Sequence, residues 1–182
     1  MVKKFGLKNY VIAALCVALC VVLPMAFHAI PNAGSILLPM HIPVLLCGLL
    51  CGWPLGLVCG LVGPLLSSVL TGMPPAAYLP SMMVELAVYG LASGLLMRFV
   101  RTGKNFADLY VSLIGAMLVG RVVAGLARAL IFSAGGYSMA VWATSYFVTG
   151  LPGIAIQLLI LPPIVLALEK ARIVPKRYPA NI

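Results

Sequence analysis

Glu85, Asp108, Arg121 and Arg128 stand apart from the clusters that hold the rest of the chain's charge. Three of them lie within apolar runs, Glu85 and Arg121 well inside and Arg128 near the outer mouth. A lone charge in lipid costs at least ~2.5–3.5 kcal/mol, so each calls for a partner or a water-filled cavity. Arg121 and Arg128 are seven residues apart, two turns along one helix face. Two guanidinium groups and one carboxylate leave positive charge to spare, which suits a ligand carrying a carboxylate or another anion. A structural reading competes: Glu85 and Arg121 pair to lock two helices, and Arg128 snorkels outward. Other polar residues could complete a site. Tyr89 lies one turn below Glu85 on the same face, to line a cavity or to pack. Gln157, far inside an apolar run, must hydrogen-bond something. His41 follows Pro39-Met40 and precedes Pro43, Asn32 stands in a polar loop, and Ser67 could face a ligand or bond its own helix backbone. Asp108 fits a structural role at a helix start, where an acid favours the dipole.

Bond-breaking chemistry has no machinery here. The chain has no Gly-Lys-Ser/Thr phosphate loop, no His-Glu-x-x-His and no cluster of paired carboxylates. No catalytic residue, cofactor or metal site is expected. The five cysteines (16, 20, 47, 51 and 59) all lie in apolar runs without His or carboxylate neighbours, so they read as small packing residues and not as disulfides or metal ligands. Any uphill movement of a solute must draw on an ion gradient or an ATPase partner.

The elements that position these residues follow from composition. The chain is 63% hydrophobic and 8% charged, against about 45–50% and about 25% for a soluble domain. So few charges cannot cover a core of this size in water. Apolar stretches at about 9–27, 38–51, 54–71, 79–100, 108–132 and 144–168 divide at Pro, Gly and charged positions. They predict an all-α bundle of six transmembrane helices forming one domain over 1–182. The first stretch reads as a membrane helix and not a cleaved leader, because Ala26-Phe27-His28 breaks the small-x-small pattern. The second is too short to cross upright, and a short or broken helix is tolerated only where protein or a cavity satisfies its backbone.

Charge sets the orientation. The net charge of +9 could suggest nucleic acid, but the basic residues form short clusters between apolar runs rather than a stripe on a soluble face. Lys3, Lys4 and Lys8 precede the first stretch; Arg98, Arg101 and Lys104 follow the fourth; Lys170, Arg172, Lys176 and Arg177 follow the sixth. Six crossings place all three clusters on one side, which the positive-inside rule makes cytoplasmic, together with both termini. The opposite loops, about 28–37, 72–78 and 133–143, lack Lys and Arg and are rich in Pro, Gly, Asn and Ser. They suit either plain connections or lids over a pocket. On this frame Glu85 lies ~10 Å below the outer surface and Arg121 ~20 Å above the inner one. In a core ~30 Å thick the two reach a similar depth, which makes them a candidate pair. Small residues at Ala14 and Ala18, and at Ala116, Gly120 and Ala124, mark helix faces that another helix can approach closely.

Pro39-Met40-His41-Ile42-Pro43-Val44-Leu45-Leu46-Cys47-Gly48, then Gly60-Leu61-Val62-Gly63-Pro64-Leu65-Leu66-Ser67-Ser68, Thr71-Gly72-Met73-Pro74-Pro75 and Glu85-Leu86-Ala87-Val88-Tyr89-Gly90 resemble the S component of an energy-coupling factor (ECF) vitamin transporter. The order and spacing of these stretches carry the likeness, which covers most of the chain. It implies a bacterial plasma-membrane protein that binds a vitamin near the extracellular side, with the first and third outer loops closing the pocket. It also implies docking on a transmembrane coupling subunit and two cytoplasmic ATPases, through small first-helix residues that Ala14 and Ala18 match. The Pro-Met-His-Ile-Pro and Gly-Met-Pro-Pro stretches are most similar to the pantothenate-type branch; pyridoxine, hydroxymethylpyrimidine and folate are cargo of related subunits. A stand-alone secondary transporter is the alternative, but the two halves of the chain share no convincing repeat.

Overall fold

The computed structural model describes residues 6–27, 33–132 and 138–178. Among them every regular element is helical, and six helical stretches are long and apolar enough to cross a membrane: Leu7–Ala26, Gly34–Cys51, Trp53–Thr71, Leu79–Phe99, Asn105–Leu130 and Leu151–Lys170.

Helix α1 (Leu7–Ala26) lies at the edge of the bundle and packs on its neighbours through Ala13, Cys16 and Cys20. These positions recur at helical spacing and so form one buried stripe. Leu7, Val11, Leu15, Val22 and Met25 are exposed on its other faces, as lipid-facing positions should be. Ala14 and Ala18 are exposed as well, one turn apart and turned away from the bundle.

The second crossing is two helices, α2 (Ala33–Leu37) and α3 (His41–Cys51). Their junction has a local cause. Leu38 precedes Pro39, whose ring disfavours the helical region for the residue before it, and Leu38 takes φ +51°. The His41 N–H then donates to the Leu38 carbonyl at 3.1 Å and restarts the helix. The expectation of a segment too short to cross therefore needs correction: the helical material extends back to Gly34, and the crossing is broken near one end instead. Eight of the eleven α3 residues are buried, which makes α3 the central helix.

Gly52, at φ +89°, turns the chain sharply from α3 into α4 (Trp53–Thr71), whose second residue is Pro54. Helices α3, α4 and α5 (Leu79–Phe99) then meet along a glycine seam. A Cβ on Gly90 would stand 2.1 Å from the Gly56 carbonyl oxygen, and one on Gly60 would stand 2.3 Å from the Leu86 carbonyl oxygen. Without side chains at these points the backbones touch, which is how helices gain packing in a solvent as apolar as their own surfaces. Helix α6 (Asn105–Ala127) packs on α5, where the Tyr89 ring fills the space beside Gly120. The chain continues in wider π-helical turns through Arg128–Phe132. After a short α7 (Met139–Ala143) and a second π stretch (Thr144–Thr149), α8 (Leu151–Lys170) returns alongside α2, α3 and α6. The five thiols are free and buried.

One end of the bundle collects the basic residues. Asp108, fully buried, accepts from Thr102 N–H and Oγ1–H (both 2.7 Å), Arg177 Nε–H (2.5 Å) and Tyr178 O–H (2.6 Å). Arg177 also donates to the Met97 and Val100 carbonyls at the end of α5. Asn105 donates to Glu169 on α8 at 2.5 Å. Lys8 of α1 shares a cleft with Glu169 and residues 172–176. Lys8 and the two other basic clusters expected on one side do meet at one end, while Lys3 and Lys4 lie outside the described residues.

Candidate functional site

The helices carry the singled-out polar residues to the opposite end. Glu85 and Gln157 each lie six residues inside the far ends of their helices, and Arg121 six residues before the end of α6. At 1.5 Å per residue that is ~9 Å of depth for all three. Ser67 is one turn from the far end of α4, and His41 opens α3.

Their side chains do not all converge. His41 Nε2 and Glu85 Oε1 are 3.2 Å apart, joining α3 to α5. The His41 and Tyr89 rings meet edge to face, with centroids 5.0 Å apart. His41, Glu85 and Tyr89 are thus one cluster, and Tyr89 leads to α6 through its contact with Gly120.

Arg121 follows Gly120 in sequence but points elsewhere. Glu85 is not its partner: the guanidinium lies 5.6 Å from the centre of the Phe147 ring, while the carboxylate turns to His41. Matched depth put the two residues at one level, but their directions around the helix axes differ. Trp142 closes over the same place. Its indole N–H donates to the Arg121 carbonyl at 3.2 Å, its ring meets Phe147 edge to face at 5.2 Å, and it presses on Gly125, where a Cβ would stand 2.1 Å from the indole nitrogen. Arg128, half-buried, lies 5.5 Å from the Tyr78 ring. Neither arginine has an Asp or Glu carboxylate within ion-pair distance, and all three Asp and Glu residues lie in the described residues.

Arg121 is 3% exposed and Gln157 1%, and Ser67 is fully buried. Arg121 Nε, Gln157 Nε2, Ser67 Oγ and His41 Nδ1 are buried without a hydrogen-bond partner. Each such atom costs about 1–3 kcal/mol. Four of them in the far half of one bundle are out of keeping with mere packing. They suit the walls of a site that a polar small molecule completes. Gln157 lies one turn beyond Gly153, which abuts the Ile36 and Leu37 carbonyls, so its face of α8 is the one turned to the α2–α3 junction. Asn32 lies outside the described residues.

Residues 8–165 match the family model for the substrate-specific component of ECF transporters. The chain belongs to that family. No curated protein matches it. As an S component it is a multi-pass cell-membrane protein, a substrate-binding transport subunit and not an enzyme, and it works with the ECF module on a small-molecule substrate.

Sequence reading missed Trp142, Phe147 and Tyr78 in this S component. The signal was available. Tyr137, Trp142, Tyr146 and Phe147 cluster beside a loop at a membrane boundary, where aromatic rings with one polar edge concentrate. What sequence could not supply was the fold-back that lays two of them over Arg121.

Proposed function

We propose that this S component captures a small anionic vitamin, pantothenate, at the far end of the bundle, and that this end faces the outside of the cell. The observation that carries the reading is the Arg121 guanidinium: buried in the membrane half-depth with no carboxylate beside it, it suits the carboxylate of a ligand. His41, Glu85, Tyr89, Ser67 and Gln157 offer donors and acceptors for hydroxyl and amide groups. Arg128, nearer the mouth, draws the anion in. Asn32 belongs to the first outer loop, which closes the pocket from one side, while Trp142 and Phe147 cover Arg121 from the other. The loaded protein docks through the exposed small face at Ala14 and Ala18 on the coupling subunit, with energy from two cytoplasmic ATPases. Both termini are then cytoplasmic, in keeping with the basic clusters at their end.

The deciding experiment is a thermal-shift and calorimetric screen of the purified protein against pantothenate, pyridoxine, hydroxymethylpyrimidine and folate, without ATP. Tight binding of pantothenate that weakens in Arg121→Ala supports the reading. Preference for an uncharged vitamin, undisturbed by that substitution, overturns it. Ala14→Leu with Ala18→Leu should leave binding intact and abolish uptake by cells holding the complete transporter. Uptake that persists without the ATPases would instead favour a secondary transporter.

A further inference from the structure

The basic end of the bundle carries a second site. Beyond α8 the chain forms a strap over residues 171–176, held at both ends. At one end Arg177 and Tyr178 clasp the buried Asp108. At the other, α8 closes with Ile173 N–H on the Leu168 carbonyl (3.0 Å) and Arg172 N–H on the Glu169 carbonyl (3.2 Å). This closure calls for a left-handed residue, normally glycine, at the position that Arg172 occupies with φ +58°. An arginine there is a disfavoured choice, and the inference from such an outlier runs toward function.

Between the strap and the start of α1 lies a cleft of about 390 Å³ lined by Lys8, Glu169, Arg172, Ile173, Val174, Pro175 and Lys176, within the ~300–1,000 Å³ typical of small-molecule sites. Three cations face one carboxylate there. That carboxylate, on Glu169, accepts from Asn105 and lies in the field of Arg177 and Lys176, and among the described residues none of the three cations has a carboxylate within 4 Å. Lys8 lies in the first turn of α1, where the helix dipole already disfavours a cation and no acidic residue offsets it. Helix-dipole capping therefore accounts for Arg172 at the end of α8 but not for Lys8. Ile173, which lines the cleft, and Leu7, next to Lys8 in the chain, are both exposed apolar side chains. Surplus positive charge beside exposed apolar side chains, at the end of a membrane helix, matches a molecule with an anionic head and an acyl tail.

We propose that this cleft binds the phosphodiester headgroup of an anionic phospholipid, with Lys8, Arg172 and Lys176 around the phosphate and Ile173 and Leu7 along the first acyl carbons. The site is independent of the vitamin site, at the other end of the molecule.

The test is native mass spectrometry of the full-length protein released from phosphatidylcholine nanodiscs containing a minor fraction of phosphatidylglycerol. Two triple variants are compared with the parent: Lys8→Gln/Arg172→Gln/Lys176→Gln in the cleft, and Arg101→Gln/Lys104→Gln/Lys170→Gln at the same end but outside it. The parent and the second variant should retain phosphatidylglycerol over phosphatidylcholine, and the cleft variant should lose that preference by roughly tenfold or more. Equal loss in both variants would reduce the effect to diffuse surface charge and overturn the proposal. So would displacement of the lipid by millimolar inorganic phosphate, which would assign the cleft to a free anion.

Discussion

His41 and Glu85 stand 3.2 Å apart across the interface of α3 and α5, although forty-four residues separate them in the chain. The contact ties the broken second crossing to its neighbour at the point where its helix restarts. It also takes up the one carboxylate that could have neutralised Arg121, and so leaves that arginine with an aromatic face instead of an ion partner.

Removing either side of this contact should cost stability. Hydrogen bonds to charged groups contribute about 1.5–3 kcal/mol, so His41→Ala should lower the melting temperature in detergent by several degrees. Glu85→Gln, which keeps an acceptor oxygen, should lower it less. Unchanged melting of His41→Ala would show that the pair contributes nothing.

Arg121 should discriminate ligands by charge. Loss of a charge-assisted hydrogen bond predicts a roughly 10- to 150-fold weaker affinity for an anionic vitamin in Arg121→Ala. Arg121→Lys should fall between, because it keeps the charge without the planar fork. An analogue with an alcohol in place of the carboxylate should bind parent and variants alike. Calorimetry with the paired ligands checks this; equal losses for both ligands would point to a collapsed site instead of a lost charge contact.

Trp142 and Gly125 should govern how long a ligand stays. Trp142→Phe deletes the hydrogen bond to the Arg121 carbonyl, and Gly125→Ala forces the indole off its seat. Both should speed dissociation several-fold and change association little, as is common among variants of one binding surface. Stopped-flow measurement of ligand release would reveal a cover that does nothing if the rates match the parent's.

The glycine seam should tolerate no methyl group. In Gly90→Ala the new carbon meets a backbone carbonyl at 2.1 Å, which no rotamer change relieves. Overpacking of this kind costs about 3 kcal/mol, enough to lower the yield of monodisperse protein on gel filtration. Gly34→Ala meets nothing within 4 Å and should behave as the parent does.

Arg177→Ala would leave the Asp108 carboxylate buried without its cation. Breaking a buried pair in this way costs about 3–5 kcal/mol. Arg177→Lys should rescue little, because the guanidinium also serves the Met97 and Val100 carbonyls. A melting curve that overlays the parent's would show the clasp to be incidental.

The chain alone determined that it crosses a membrane, roughly where it does so, and that its basic clusters share one end. Those properties are one-dimensional: the bilayer demands some twenty apolar residues per crossing, and alternating crossings sort the charges by side. Depth is one-dimensional too, which is why the sequence could set Glu85 and Arg121 at one level, whereas the matching depth of Gln157 came only with the start of α8 at Leu151. The direction in which each side chain leaves its helix was decided only by tertiary packing. Glycine contacts set the rotation and approach of α3, α4, α5 and α6, turning Glu85 to His41 and Arg121 to Phe147. Local sequence does not encode that angle, because an apolar helix in lipid has no wet face to orient it.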